Sequence, residues 1–283
     1  MERTWRITAF DGAIMRAFAP DVAFLFVGTP RYVEIVLRLI GVRRIYRVPN
    51  HHGVPKLLTN SALTAENDWD ISKHGVEDRL RAVRLYGVQA EESPMRLPVQ
   101  EAWVLTARGW LKSHDYAESR LVLLQVGASS ARRRWPIDRF ANLARRLVAE
   151  FHDLRCVVTG SPEERDYCCR VVELARDARV CTSAGELSLG GLAGIMSLST
   201  LLVTPDTGTM HLGHAVGVNS VCLYSMSPVH RTRALDEAYV HKVVQRRPAK
   251  GVVLSPAELE NCMSLIPMED VYEACRQVLN ALS

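Results

Sequence analysis

Long apolar runs are absent from this 283-residue chain, and so is a strong excess of charge of either sign. No segment approaches the roughly 18 consecutive apolar residues that a membrane-spanning helix needs. No apolar stretch fit for export follows the basic residues at the start, so the sequence predicts no secretory signal. The formal net charge is only +4, and no nucleic-acid-binding module is recognisable, which argues against a nucleic-acid partner.

Paired cysteines are absent as well. The seven cysteines are odd in number, lie between Cys156 and Cys275, and no two have the two-residue spacing of a zinc or redox site. Buried free thiols in a reducing cytoplasm are therefore expected. No cluster of His, Asp or Glu has metal-ligand spacing, so the sequence predicts neither a metal nor a cofactor.

What the chain does have is a regular alternation of apolar runs and amphipathic segments from residue 121 onward. Short runs rich in Leu, Ile and Val predict buried strands, and apolar residues three or four apart predict helices. The predicted strands are 121–126, 154–159, 179–181, 201–204 and 220–224, and the helices between them are 136–151, 162–175, 189–198 and 210–216. This alternation is typical of an α/β fold with a parallel sheet, whose ligands bind at the carboxyl ends of the strands.

The first part of the chain predicts a smaller α/β unit. Its predicted elements are strands at 22–27 and 44–48 and helices at 32–40 and 73–86. Since 48% of the residues are hydrophobic, the chain can bury the cores of two domains. A polar stretch at 113–120 marks the expected boundary, so we expect domains at 1–115 and 120–283.

Asp206, Thr207 and Gly208 lie between a predicted strand and a predicted helix. The first turn of a helix presents unpaired N–H groups that bind anions, and glycine allows a ligand to approach the backbone closely. The Thr207 hydroxyl adds a donor for a phosphate. Asp206 would repel a phosphate, so we expect it to cap the helix or to bind a sugar hydroxyl. His211, one turn further on, is as well explained by an orienting or core role as by ligand binding.

A second anion-binding loop is predicted after the strand at 121–126. Gly127, Ser129 and Ser130 precede three consecutive arginines, residues 132–134. Parallel strands end at one edge of a sheet, so this loop and the Asp206 segment are expected to meet there and to hold a diphosphate. The alternative is a solvated basic turn. Because the loop lacks the G-x-G-x-x-G pattern, a dehydrogenase is disfavoured.

Three segments, GASSARRRWP at 127–136, TGSPEE at 159–164 and DTGTMH at 206–211, resemble in order and spacing the motifs of glycosyltransferase family 9, the ADP-heptose heptosyltransferases of lipopolysaccharide synthesis. The resemblance is dense over 121–225 and weaker at 17–49 and near the C-terminus. It implies the GT-B architecture, with two Rossmann-like domains whose parallel sheets face across a cleft. The last helix is then able to pack back on the N-terminal domain.

The resemblance implies inverting transfer of a heptose-like sugar from an ADP-activated donor to a lipopolysaccharide-core or related glycan acceptor. It implies a cytoplasmic enzyme with at most peripheral contact with the inner membrane. The family has a lysine two residues before the tryptophan of the first motif. This chain has Arg133 there, which is expected to neutralise the phosphates of the leaving group.

Other binding positions also follow from the resemblance. Glu164 matches a family position and is expected to accept hydrogen bonds from the ribose, although a Glu in the first turn of a helix is also favoured by the helix dipole. Leu187 and Ser188 are implied to flank the adenine, with core packing as the alternative.

The catalytic base is the point at which the chain departs from the family. The family's candidate is an Asp in a Gly-Asp pair, which would fall at Arg3-Thr4, and neither residue can act as a base. The N-terminal domain is therefore expected to be incomplete or diverged, and Asp11 is the nearest carboxylate. Two alternatives stay open: transfer that uses another nucleotide sugar or a natural-product or protein acceptor, and a nucleotide-sugar-binding protein without catalysis.

Overall fold

The computed structural model describes residues 15–26, 28–62, 72–249 and 252–282. The chain divides into two compact units, Met1–Glu92 and Ser93–Ser283. This division differs from the expected boundary near 113–120, because the helix Glu101–Ser113 packs within the second unit. In the part of the chain that the structure describes, no helix is long and apolar enough to cross a bilayer.

The first unit contains a two-stranded parallel sheet. Its elements are β1 (Val22–Leu25), α1 (Tyr32–Leu39), β2 (Arg44–Arg47) and α2 (Gly75–Arg84). Val22 lies opposite Arg44, and Leu25 lies opposite Arg47. A small core that includes Ile45 packs α1 against the two strands. The predicted strand–helix–strand order of this unit is confirmed; of the predicted first strand, residue 27 lies outside the described residues.

A buried ion pair holds the loop that follows β2. Arg47 Nε lies 2.5 Å from Glu34 Oε1, and both side chains are at most 2% exposed. The other carboxylate oxygen of Glu34 accepts a hydrogen bond from the Val54 N–H at 2.6 Å. Asn60 donates to and accepts from the backbone of Arg47. Because removal of one partner would leave a buried charge uncompensated, this network fixes the loop to α1.

The second unit contains a six-stranded parallel sheet. Its strands are β3 (Arg120–Gln125), β4 (Leu154–Thr159), β5 (Val180–Thr182), β6 (Leu201–Pro205), β7 (Ser220–Tyr224) and β8 (His241–Gln245). Their order across the sheet is β5-β4-β3-β6-β7-β8. The chain therefore runs outward from β3 on one side and then returns to run outward from β6 on the other. Where the order reverses, the loops after β3 and β6 diverge and open a crevice, which is where ligands bind in such sheets.

Helices cover both faces of this sheet. They are α3 (Glu101–Ser113), α4 (Ile137–Glu150), α5 (Arg165–Ala175), α6 (Leu189–Ser197), α7 (Gly208–Val216), the short α8 (Val229–Thr232) and α9 (Pro256–Glu260), and α10 (Met268–Ala281). Alternate residues of β3 face opposite cores: Val122 and Leu124 pack with α4, α5 and α10, whereas Leu121 and Leu123 pack with α3 and α6. The last helix packs on α4 within its own unit.

The predicted parallel α/β fold is confirmed. Five strands of the second unit lie within two residues of their predicted bounds, and so do α4, α6 and α7. Helix α5 begins three residues later than predicted, because Pro162–Glu164 form a 3-10 turn before it. Sequence analysis missed β8. This edge strand exposes Lys242 and Val243 and contains the polar His241 and Gln245, so it lacks the apolar run of a central strand.

Close packing of α3 on α6 depends on Gly194. A Cβ atom added at this position would lie 2.2 Å from the Trp103 backbone oxygen, which cannot move aside as a side chain can. We expect Gly194→Ala to lower the free energy of unfolding by about 1–3 kcal/mol through overpacking. A Cβ at Gly109, inside α3, meets nothing within 4 Å. Gly109→Ala should therefore be neutral or stabilise by up to about 1 kcal/mol. Thermal denaturation of both variants tests this contrast, and equal melting temperatures would contradict it.

Candidate functional site

A cavity of about 350 Å³ lies at the carboxyl ends of β3, β6 and β7. The loop after β3 contributes Ser130, Arg132 and Arg133, and Asp206 follows β6. The end of β7 and its loop contribute residues 223–227, and Met263 comes from the C-terminal part of the chain. The cavity thus occupies the point at which the strand order reverses. Three of the residues singled out from the sequence, Ser130, Arg133 and Asp206, come together there.

Arg133 joins the loops on the two sides of this reversal. Its Nη1 donates a hydrogen bond to the backbone oxygen of Asp206 at 3.2 Å. The backbone of the arginine loop is itself fixed, because the Arg133 N–H donates to the Ser130 oxygen at 3.0 Å in a 3-10 turn. A guanidinium group is therefore held beside the first residue after β6.

Asp206 is 7% exposed, and it lines the cavity. Thr207 is the N-cap residue of α7, and neither side chain caps the helix by a hydrogen bond. The expectation that Asp206 caps this helix is therefore wrong. In the described part of the chain its carboxylate makes no hydrogen bond, which leaves the contact with a sugar hydroxyl as its expected role. The Thr207 Oγ1 lies 3.5 Å from the Thr204 Oγ1.

Gly208 begins α7, and the protein around it does not require a glycine. A Cβ atom at this position would meet nothing within 4 Å, and the backbone has no left-handed conformation there. The first N–H groups of the helix have no partner within the helix itself. Protein packing therefore gives no reason for a glycine at this position, and the space around it is open.

Glu164 lies on the other side of β3, against Gly127. Its Oε2 accepts a hydrogen bond from the Ser161 N–H at 3.0 Å, in a capping box at the start of the turn before α5. A Cβ atom at Gly127 would lie 2.0 Å from Glu164 Oε1, so a larger residue there would displace this carboxylate. Glu164 and Gly127 thus adjoin, while neither lines the 350 Å³ cavity. Ser129, in the same loop as Gly127, is exposed.

Leu187 and Ser188 follow β5, two strands away from the cavity. The Ser188 Oγ accepts a hydrogen bond from the Gly191 N–H at 3.1 Å and so caps α6. Leu187 is half-buried and packs against the core on the α3 side. Both residues therefore make contacts that stabilise the fold. Like Glu164, they lie beyond the carboxyl ends of the strands.

His214 is a core residue of α7, whereas His211 is half-buried. The His214 Nε2 lies 3.4 Å from Ser220 Oγ, and its ring centroid lies 4.7 Å from that of His241. Burial, followed by the neighbouring His241 and His211, lowers the pKa of His214 to about 3. His214 is consequently neutral at physiological pH. The rings of His211 and His214 are 6.4 Å apart, so His211 lies beside this buried group.

Sequence analysis missed the part of the cavity that follows β7. Ser225, Met226 and Ser227 come directly after a buried strand that neighbours β6, and that position was the available signal. Met263 had no comparable signal, because a distant 3-10 helix brings it to the cavity. In that helix, Cys262 Sγ donates to the Arg132 backbone oxygen at 3.3 Å.

The tryptophan of the first motif packs in the core, and the cysteines are free as expected, although Cys169 and Cys181 are only half-buried. Trp135 is fully buried, packs edge-on against Phe140 and donates to the Ile266 oxygen at 3.0 Å. All seven cysteines are free. No group of three or more His, Cys, Asp or Glu side chains within the described ranges is arranged to hold a metal ion. Asp11, like Arg3 and Thr4, lies outside the described residues.

The chain matches the sequence pattern of a known family over most of its length. The family is described as glycosyltransferase family 9 (heptosyltransferase), and its sequence model matches residues 48–258, which is more than half of the chain. Lipopolysaccharide heptosyltransferase 1 of Campylobacter coli is 21% identical over 159 residues, which are 56% of this chain. The match spans 46% of that relative, so less than half of its length is represented here.

Solved structures share the fold. A glycosyltransferase family 9 protein from Veillonella parvula is similar with a TM-score of 0.75 at 19% identity, over 99% of this chain and 81% of that chain. The ADP-heptose lipopolysaccharide heptosyltransferase II of E. coli is similar with a TM-score of 0.73 at 19% identity, over 96% and 80% of the two chains. These neighbours are glycosyltransferases of the GT-B type, so the expected fold class is confirmed.

The neutral His214 predicts a measurable pH dependence of stability. Its pKa in the folded protein lies below the ordinary value of 6.5, so the unfolded chain takes up the proton first as the pH falls. The contribution of His214 to the free energy of unfolding is complete above pH 6.5 and is lost as the pH falls towards 3, by at most about 1.4 kcal/mol per pH unit.

Denaturant unfolding between pH 7 and pH 4 tests this prediction. The free energy of unfolding of His214→Asn should fall less over this range than that of the wild type. The exposed His152 supplies the control, His152→Asn, which should keep the wild-type slope; equal slopes for all three proteins would contradict the prediction.

Proposed function

This chain belongs to glycosyltransferase family 9, and from that membership we propose that it transfers a heptose-like sugar from an ADP-activated donor to a lipopolysaccharide-core or related glycan acceptor. The anomeric configuration is inverted in the proposed reaction. The observation that carries the proposal is the contact of Arg133 with Asp206 beside the cavity at the strand-order reversal. This arrangement brings two arginines, serine hydroxyls and the residue that precedes the N-cap of α7 to one cavity.

The chemistry of the leaving group supports this assignment. In the proposed reaction the acceptor oxygen forms a bond to the anomeric carbon and loses its proton, while the bond to the diphosphate breaks and ADP departs. Negative charge grows on the diphosphate during this step. Guanidinium groups, the hydroxyls of Ser130 and Thr207 and the N–H groups at the start of α7 would stabilise that charge more in the transition state than in the ground state. The basic pocket would do so without a metal or other cofactor.

The carboxylates have a separate role in this proposal. Asp206 lies in the same cavity as two arginines, makes no hydrogen bond among the described residues, and would accept one from a hydroxyl of the donor sugar. Glu164 already accepts from Ser161 through one oxygen, and its other oxygen would accept from the ribose. Leu187 and Ser188, at the end of β5, would lie towards the adenine, and His211 would orient the start of α7.

The acceptor side of the reaction is proposed from the family alone. The proton of the acceptor hydroxyl requires a base, and Asp11 is the nearest carboxylate to the position of the family's Gly-Asp pair. We propose that the protein acts in the cytoplasm, in at most peripheral contact with the inner membrane. The acceptor is then a glycan of the membrane surface.

Calorimetric titration with nucleotides tests the donor assignment directly. We expect ADP-heptose and ADP to bind, and UDP and GDP to bind more weakly, because Leu187 and Ser188, after β5, are proposed to flank an adenine. Binding of UDP or GDP in preference to ADP would identify another nucleotide sugar as donor. Absence of binding by all four ligands would contradict the proposed function.

A second candidate function is favoured by one observation, namely the presence of Arg3 and Thr4 where the family has its Gly-Asp pair. A nucleotide-sugar-binding protein without turnover would bind ADP-heptose and leave it intact. Product analysis after incubation with the donor and a lipopolysaccharide-core acceptor separates the two functions. Release of ADP together with a glycosylated acceptor supports the transferase.

Gly208 supplies a test in which folding and binding are separated. Because a Cβ has open space there, Gly208→Ala should leave the melting temperature unchanged or raise it slightly. The added methyl group would occupy the space beside the α7 N–H groups, so we expect ADP affinity to fall by at least about tenfold, the equivalent of one hydrogen bond to a charged group. Gly109→Ala, which lies on α3, is the matched control and should bind ADP like the wild type. Wild-type affinity in Gly208→Ala would contradict the placement of the diphosphate.

A further inference from the structure

The three consecutive arginines of the loop after β3 have three different environments. Arg134 turns back on its own loop: its Nε donates to the Ala128 oxygen at 3.0 Å, and its guanidinium lies 5.9 Å from the centre of the Tyr167 ring. Arg133 reaches across to β6 and donates to the Asp206 backbone oxygen. Each of these two side chains thus has a partner that shapes the site.

Arg132 differs from both. It lines the cavity and is exposed, and within the described part of the chain its guanidinium makes no hydrogen bond and no ion pair. Its backbone is nevertheless fixed, since the Arg132 oxygen accepts from Cys262 Sγ at 3.3 Å. The backbone of Arg132 is thus fixed, while its guanidinium has no hydrogen-bond partner among the described residues. Such a side chain is suited to bind an anionic ligand.

We propose that Arg132 is the arginine that binds the diphosphate of the donor, and that Arg133 is a positioning residue that holds the β6 loop in place. This inference deepens the proposed function and rests on it. It moves the principal phosphate contact one residue away from the position at which the family has its lysine.

The charges of the cavity support this division. Two guanidinium groups and one carboxylate line it, those of Arg132, Arg133 and Asp206. Arg133 already donates to the Asp206 backbone oxygen, so its side chain is committed to the contact between the two loops. The same contact fixes the direction of the Arg133 guanidinium towards β6 and uses one of its N–H donors. Arg132 has no side-chain hydrogen bond or ion pair to give up among the described residues, so all its N–H donors are available to the ligand.

The difference between the two arginines can be measured with ADP and adenosine as probes. Arg132→Ala should weaken ADP binding by about tenfold to a hundredfold, as expected for a lost hydrogen bond to a charged group, and should leave adenosine affinity and the melting temperature unchanged. Arg132→Lys should restore part of the ADP affinity. Arg133→Ala should lower the melting temperature and should weaken the binding of ADP and of adenosine by similar factors. The reason is that this substitution loosens the whole loop, whereas Arg132→Ala removes one phosphate contact.

Arg145, an exposed residue of α4, provides the control for a general loss of positive charge, and Arg145→Ala should bind ADP like the wild type. The inference is overturned if Arg132→Ala binds ADP like the wild type, or if the loss in Arg133→Ala is larger and confined to ADP. Failure of the wild-type protein to bind ADP is a different result: it would overturn the proposed function and this inference with it.

Discussion

The reversal of strand order between β3 and β6 is the constraint on which the second unit depends. Strands β3, β4 and β5 extend the sheet in one direction, and β6, β7 and β8 extend it in the other. Crossover connections in parallel sheets share one hand, so the chain must change faces where the direction changes, and the loops after β3 and β6 diverge. The cavity, the arginine loop and the N-terminus of α7 all lie at this point. Their proximity therefore follows from topology, although more than 70 residues separate them in the sequence.

Within that crevice, neighbouring residues of one loop have different tasks. Arg134 folds the loop, Arg133 links it to the adjacent strand end, and Arg132 faces the cavity. The two glycines of the motifs also differ in their surroundings. Gly127 adjoins the carboxylate of Glu164, whereas the space around Gly208 is open. A motif thus combines residues that build the site with residues that meet the ligand, and only contacts distinguish the two kinds.

Much of the second unit could be predicted because buried parallel strands are continuous apolar runs, and the motifs at their ends could be assigned to one sheet edge. The predicted cap at Asp206 was wrong, since the choice between adjacent N-cap residues depends on backbone angles that composition does not fix. The edge strand β8 and the contribution of Met263 were missed for want of a local pattern. The buried Glu34–Arg47 pair was likewise beyond prediction, because a charged pair in the sequence resembles solvated surface residues until burial is known.

The sheet order also bears on the sequence of events during synthesis on the ribosome. Strand β3 emerges before every other strand of its unit and becomes the centre of the sheet, so one of its edges remains unpaired after β4 has joined the other. That edge is covered only when β6 emerges. The face of α4 that includes Leu143 and Leu147 is covered later still, because α10, which packs on it, follows all the other described strands and helices. A nascent chain that lacks those residues exposes apolar surface at its largest core, and a chaperone has its longest opportunity to bind there.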